Sequence, residues 1–263
     1  MREEPSAAPV QLPVAPAPLP VSVIDAHTHL ASTAERIRRP VAEILEMASA
    51  VGVSKVVDVG CDVYSSAESV GFAERFPTVV SCVAIHPNDA ARLGDGLDAG
   101  LAELEALIAG SPKVRGVGET GLDYYRTTDP AGQARQKLAF ARHIGWAKEH
   151  QLPLVVHDRD AHADILAMLD SEGAPDKVMM HCFSGDADFA QACMERGFWL
   201  SFPGTVTFKA NEPLREALDI AAADRILVET DAPYLTPMPN RGKPNGPYLI
   251  PDTVRFMAAR RGA

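Results

Sequence analysis

Short apolar runs alternate with longer amphipathic ones from residue 21 almost to the end of the chain. That alternation limits the possible folds more than any other feature. The runs VSVIDAHTH (21–29), KVVDVG (55–60), VVSCVAI (79–85), VRGVGET (114–120), LPLVVH (152–157), KVMMHCF (177–183), FWLSFPG (198–204) and RILVETDAPYL (225–235) read as strands. Helical patterns lie between them at 41–51, 65–76, 101–110, 131–150, 161–173, 186–197 and 212–222. Continuous apolar strands separated by helices imply a parallel sheet buried on both faces. Eight repeats of this kind predict an α/β fold, a closed (β/α)8 TIM-type barrel. An open doubly wound sheet is the alternative. It usually carries a Gly-rich phosphate loop after the first strand, and DAHTHL is not one. No break in composition marks a second domain, so 21–263 reads as a single barrel.

The 263-residue chain is 46% hydrophobic and carries a formal charge of −10. This excludes a wholly disordered chain, and the acidity argues against a sheath for long nucleic acids. Local contact with a nucleic-acid end or a small phosphate ester remains open. Proline recurs at 5, 9, 13, 16, 18 and 20, so residues 1–20 cannot form a helical targeting segment and read as a disordered Pro-rich tail. No apolar run approaches the ~18–20 residues that span a bilayer. Cys61, Cys82, Cys182 and Cys193 have no CxxC spacing and read as buried thiols of a reducing compartment. The expectation is a cytoplasmic protein with no membrane association and no obligate protein partner.

The chemically loaded residues fall at the C-terminal ends of the strand-like runs. His27 and His29 end the first, His86 the third, Glu119 the fourth, His157 the fifth, His181 the sixth and Asp231 the eighth. In a parallel barrel all these ends open on one face. His27 and His29, two apart on a strand, point the same way about 6.6 Å apart and can clamp one divalent ion. Two hydrogen-bonded core histidines are the equal alternative. Asp25 reads either as a group orienting an imidazole or as a strand cap. Glu119 reads as a carboxylate bridging two metals or as a salt-bridge partner of Arg115 or Arg126. Asp123 supports the site or caps a turn. His157 and His181 taken singly are core histidines; taken with Glu119 they supply ligands for a second ion. Asp231 can ligate a metal and accept a proton, with Glu229 behind it. Together, four histidines and two carboxylates suit two divalent ions such as Zn²⁺, Mn²⁺ or Mg²⁺, with water as the nucleophile.

Seven stretches in order then resemble the TatD family of metal-dependent deoxyribonucleases, within the amidohydrolase-like barrels: DAHTHL (25–30), AIHPND (84–89), GVGETGLDYYR (116–126), LPLVVHDRDA (152–161), HCFSGD (181–186), VETDAPYLTP (228–237) and RGKPNGP (241–247). The resemblance implies a divalent metal pair held by His27, His29, Glu119, His157, His181 and Asp231. It implies hydrolysis of DNA phosphodiesters with 3′→5′ exonuclease action, on DNA ends or short single strands. Glu119 and Asp231 would be the catalytic carboxylates. His86 would contact substrate, and Arg241 would be a phosphate contact or else a solvated loop cation.

The chain departs from the family pattern at Asn88, where His is frequent, at His143, where Gln is frequent, and at its C-terminus, where the helix after strand eight is only begun. The alternative activity is an amidohydrolase-type C–N or ester hydrolase, including D-aminoacyl-tRNA deacylation. Many such sites use a carboxylated lysine as the bridge, and strand four here ends in Glu119. A non-catalytic scaffold is the third reading, which the presence of all six ligands disfavours.

Overall fold

A computed structural model describes residues 10–263. Its strands are β1 (Val23–Thr28), β2 (Val53–Val59), β3 (Val79–Val83), β4 (Val114–Asp123), β5 (Leu154–Arg159), β6 (Val178–Met180), β7 (Trp199–Phe202) and β8 (Ile226–Val228). They form one eight-stranded sheet in sequence order, each parallel to the one before. The helices are α1 (Leu30–Ile37), α2 (Val41–Ala50), α3 (Val63–Arg75), α4 (Pro87–Leu93), α5 (Leu97–Gly110), α6 (Pro130–Glu149), α7 (His162–Glu172), α8 (Ala187–Glu195), α9 (Glu212–Ile220) and α10 (Ile250–Arg261). This is the (β/α)8 barrel that the alternation predicts. None of the described helices is long and apolar enough to cross a membrane.

Two of the three apolar clusters among the described residues form the wall and the interior of the barrel. The larger lies between strands and helices, with Phe140, Ile144, Leu154, Ile165 and Phe202 fully buried. A smaller one joins Val59, Cys82, Val155 and Met179 with Ala26, Val57 and Leu227. These residues come from six different strands, a meeting possible only across the barrel interior.

The barrel closes through side chains and loop backbone rather than a long ladder. β1 and the segment after β8 share one parallel bridge, Thr28 to Ala232. The His29 amide donates to Ala232 O (2.8 Å) and the Asp231 amide to His27 O (2.9 Å). Buried Asp25 completes the seam. Its carboxylate accepts the Thr230 amide at 2.9 Å and the Thr230 hydroxyl at 2.5 Å. Asp25 therefore binds no imidazole; it fastens the last strand to the first, and in doing so sets Asp231 beside His27.

Four expectations need correction. α1 and α4 are additional helices; α4 is seven residues long, too short for periodicity to show, and its signals are Pro87 at its first turn and the His86 side chain accepting the Asn88 amide. β8 stops at Val228, so Asp231 stands on a loop in a left-handed conformation (φ 49°). α10 is not merely begun: it runs twelve residues and ends at left-handed Gly262. Finally, residues 10–20 are not a disordered tail. Leu12 packs on the α2–β2 core, the Leu19 amide donates to Val51 O at 3.0 Å, the Tyr248 hydroxyl donates to Pro13 O, and Arg255 donates to the carbonyls of Ala17 and Pro18. The rest of the expected tail, 1–9, lies outside the described residues.

Candidate metal centre

Glu119 sits at the middle of the site, and β4 is shaped to put it there. Gly118 (φ 153°) and Gly121 (φ 139°) flank it, and a Cβ on either would fall 2.4 Å from Val155 Cβ or 2.0 Å from His157 O. Only glycine adopts this backbone at this distance from β5, so Glu119 is drawn against His157.

The two carboxylate oxygens of Glu119 face different imidazoles. Oε2 lies 3.5 Å from His27 Nε2 and 3.9 Å from His29 Nε2. Oε1 lies 2.7 Å from His157 Nδ1, 3.3 Å from His86 Nε2 and 3.5 Å from His181 Nε2. Asp231 Oδ1 is 3.5 Å from His29 Nε2 and 4.0 Å from both His27 and His181 Nε2. Neither Arg115 nor Arg126 pairs with Glu119; Arg126 instead faces Asp123 at 4.0 Å.

The far side of each ring fixes which nitrogen offers a lone pair. His29 Nδ1–H donates to Val59 O at 2.8 Å. His181 Nδ1–H donates to the buried Glu229 carboxylate at 3.0–3.1 Å. His157 Nε2 lies 3.3 Å from Asp123 Oδ2. In neutral rings the His29 and His181 nitrogens turned to Glu119 and Asp231 are then acceptors, whereas His157 Nδ1–H donates to Glu119 Oε1 at 2.7 Å. His27 Nδ1 is buried and has no hydrogen-bond partner among the described residues, while its Nε2 faces His29 Nε2 at 3.3 Å. His27, His29 and Glu119 offer ligand atoms close enough together to hold one metal ion, as do His27, His181 and Asp231. His86 differs: its Nδ1 accepts the Asn88 amide at 3.1 Å, so the neutral ring presents Nε2–H, a donor.

Charge follows the same plan. Burial, helped by the neighbouring His181, pushes His27 down to about 3. Burial would raise the Glu119 carboxyl, but His86, His181 and the hydrogen bond from His157 hold it well below the usual carboxylate range. Burial opposes protonation of His157 too, yet Asp123 and Glu119 raise it to about 9. Burial would raise Asp231 as well, and His29 and His181 bring it below its ordinary value. The Glu119 and Asp231 carboxylates therefore stay ionised and keep negative charge at the centre of the imidazole cluster.

Two cysteines also stand beside the histidine and carboxylate cluster. Cys61 Sγ lies 3.9 Å from both His29 Nδ1 and Glu119 Oε2, and Cys182 groups with His181 and Glu229 as potential ligands. Both are half-buried rather than core thiols, and both follow the C-terminal end of a strand, the signal that singled out the histidines. Asn88 Nδ2–H donates to Asp123 Oδ2 at 3.0 Å. His143 is buried beneath the site, where its Nε2 accepts the Ile85 amide (3.3 Å) and its Nδ1 meets Thr120 Oγ1 (2.7 Å). The Arg241 guanidinium stacks 4.3 Å over Phe208; Arg92, Arg126 and Arg159 line the cleft above Glu119.

The family model described as "TatD related DNase" matches residues 24–263. The chain belongs to the TatD-related DNase family. Among its TatD relatives, the uncharacterized metal-dependent hydrolase TatD of Mycobacterium tuberculosis is 46% identical over 239 residues, covering 90% of this chain and 89% of that protein. The 3′-5′ ssDNA/RNA exonuclease TatD of Cronobacter sakazakii is 37% identical, covering 84% of each. The crystal structure of YJJV, a TatD homolog from Escherichia coli K12, superposes with a TM-score of 0.81 at 25% identity, covering 90% of each chain.

Proposed function

We propose that this TatD-family chain is a metal-dependent hydrolase that removes nucleotides from the 3′ ends of single-stranded DNA. The observation that carries the reading is Glu119, whose two oxygens face separate imidazole groups, the arrangement a carboxylate needs to join two divalent ions. His27, His29, Glu119 and Asp231 would hold one ion; His157, His181 and Glu119 would hold the other. Mg²⁺, Mn²⁺ or Zn²⁺ in these positions would supply Lewis acidity toward phosphoryl oxygens and lower the pKa of water. Histidine and carboxylate donors suit these ions, and the Nε2 atoms of His27 and His29, 3.3 Å apart, would turn to one of them.

The remaining work falls to the chain. Asp231, ionised at the rim, accepts the proton that attacking water releases. His86 turns its Nε2–H into the cluster, where it donates to a phosphoryl oxygen as charge develops there. The cleft holds about 1260 Å³, larger than a typical small-molecule pocket and suited to a strand end. The formal charge of −10 disfavours long duplexes, which leaves ends and short strands as substrate. The free cysteines support a cytoplasmic setting.

End-labelled single-stranded and duplex DNA, linear and circular, titrated with Mg²⁺, Mn²⁺, Zn²⁺ and chelator, tests this. We expect stepwise shortening from the 3′ end of linear single strands, resistance of circular ones, and loss of activity with chelator. Equal cleavage of circular and linear DNA would overturn the end-directed reading. Turnover of an amide or aminoacyl ester with none of DNA would overturn the nuclease reading.

A further inference from the structure

Three arginines line the cleft, and two have a carboxylate within 4.0 Å. Arg92 pairs with Asp89, and Arg126 faces Asp123. Arg159 alone has no carboxylate partner among the described residues. Its guanidinium instead lies 4.0 Å over the ring of Tyr125, a side chain 61% exposed. The backbone beneath is fixed, because the Tyr124 amide donates to Arg159 O at 2.9 Å.

From these observations, and resting on the nuclease reading above, we propose that Arg159, held by Tyr125, binds the substrate phosphate next to the one being cleaved. Arg159 is two residues beyond His157 on β5, so both side chains point to the same side of the strand about 6.6 Å apart. Stacking on the exposed Tyr125 ring holds the guanidinium at the cleft lining. Five N–H donors in a planar fork match a phosphate bidentately. The ring occupies one face of that plane and leaves its edges to the ligand. A cation left unpaired in an otherwise acidic cleft has its natural partner in an incoming anion. Tyr125 is a positioning residue.

Steady-state kinetics of the metal-loaded enzyme on a single-stranded DNA 10-mer and on bis(p-nitrophenyl) phosphate, which has one phosphate, test the assignment. For R159A we expect KM on the 10-mer to rise about tenfold or more, with kcat changed less than about threefold. The slope of log KM against log salt should fall by about 0.7, the value for one lost phosphate contact on a single strand. The effect on bis(p-nitrophenyl) phosphate should be under about threefold. Y125L should shift KM in the same direction, and Y125F, which keeps the ring, should recover most of the affinity. R159K, a point charge without the fork, should fall between. An R159A enzyme with wild-type KM and salt slope on the 10-mer would overturn the proposal, as would equal losses on both substrates. Wild-type enzyme that turns over bis(p-nitrophenyl) phosphate but not the 10-mer would instead overturn the nuclease reading, and this inference with it.

Discussion

Glu119→Ala is expected to lower kcat by at least about 10³-fold, the scale on which a preorganised charge in a catalytic site acts, while the thermal unfolding midpoint moves by only a few degrees. Both halves follow from what surrounds the carboxylate. Its oxygens are the common partner of His27, His29, His86, His157 and His181, so no other side chain replaces it. Removing one member of a buried ion pair is ordinarily destabilising because the other charge is stranded. Here every partner that carries positive charge is an imidazole, which sheds its proton and becomes neutral. The barrel itself rests on contacts elsewhere, in the strand–helix layer and the Asp25–Thr230 seam. Activity assays and a melting curve on the same preparation check it. A variant with more than about a tenth of wild-type activity would remove Glu119 from the chemistry.

Asp231→Asn is expected to lower kcat and kcat/KM together by about 10²–10⁴-fold, the contribution of a positioned general base. The substitution isolates the proton acceptor because the backbone survives it. Asp231 occupies a left-handed conformation (φ 49°), which Asn adopts as readily as Asp. Its amide still donates to His27 O, and its carbonyl still accepts the Tyr234 amide. The amide oxygen that replaces Oδ1 can coordinate but cannot take a proton at neutral pH. Wild-type rates in this variant would exclude Asp231 as the base.

The parts of this site legible in the sequence share one physical property: each follows an apolar run whose only stable place is a buried parallel strand. His27, Glu119, His157 and His181 were visible for that reason, since a polar group at the end of such a run has nowhere to go but the open face of the barrel. Asp231 was found by the same logic although β8 ends three residues earlier. The loop that carries it is set by hydrogen bonds to His27 and by Asp25 gripping Thr230, contacts between residues more than two hundred positions apart. Distances of that kind leave no trace in local pattern. The same holds for residues 10–20, whose proline content resembles that of a free linker but whose carbonyls are taken by Tyr248 and Arg255. For Arg241 the sequence leaves a phosphate contact and a loop cation both open, because a loop residue carries no periodicity and only the fold shows it on Phe208. Cys61 and Cys182 were legible by position, but a small, weakly polar thiol at a strand end reads equally well as core.

Metal content tests the central claim most directly. Purified protein stripped with chelator, reconstituted with excess Mn²⁺ or Zn²⁺, desalted and measured by elemental mass spectrometry should retain two ions per chain, and Glu119→Ala no more than one. Wild-type protein that retains less than one ion per chain, with no activity recovered on adding Mn²⁺, Zn²⁺ or Mg²⁺, would contradict a site built by Glu119 between two histidine groups.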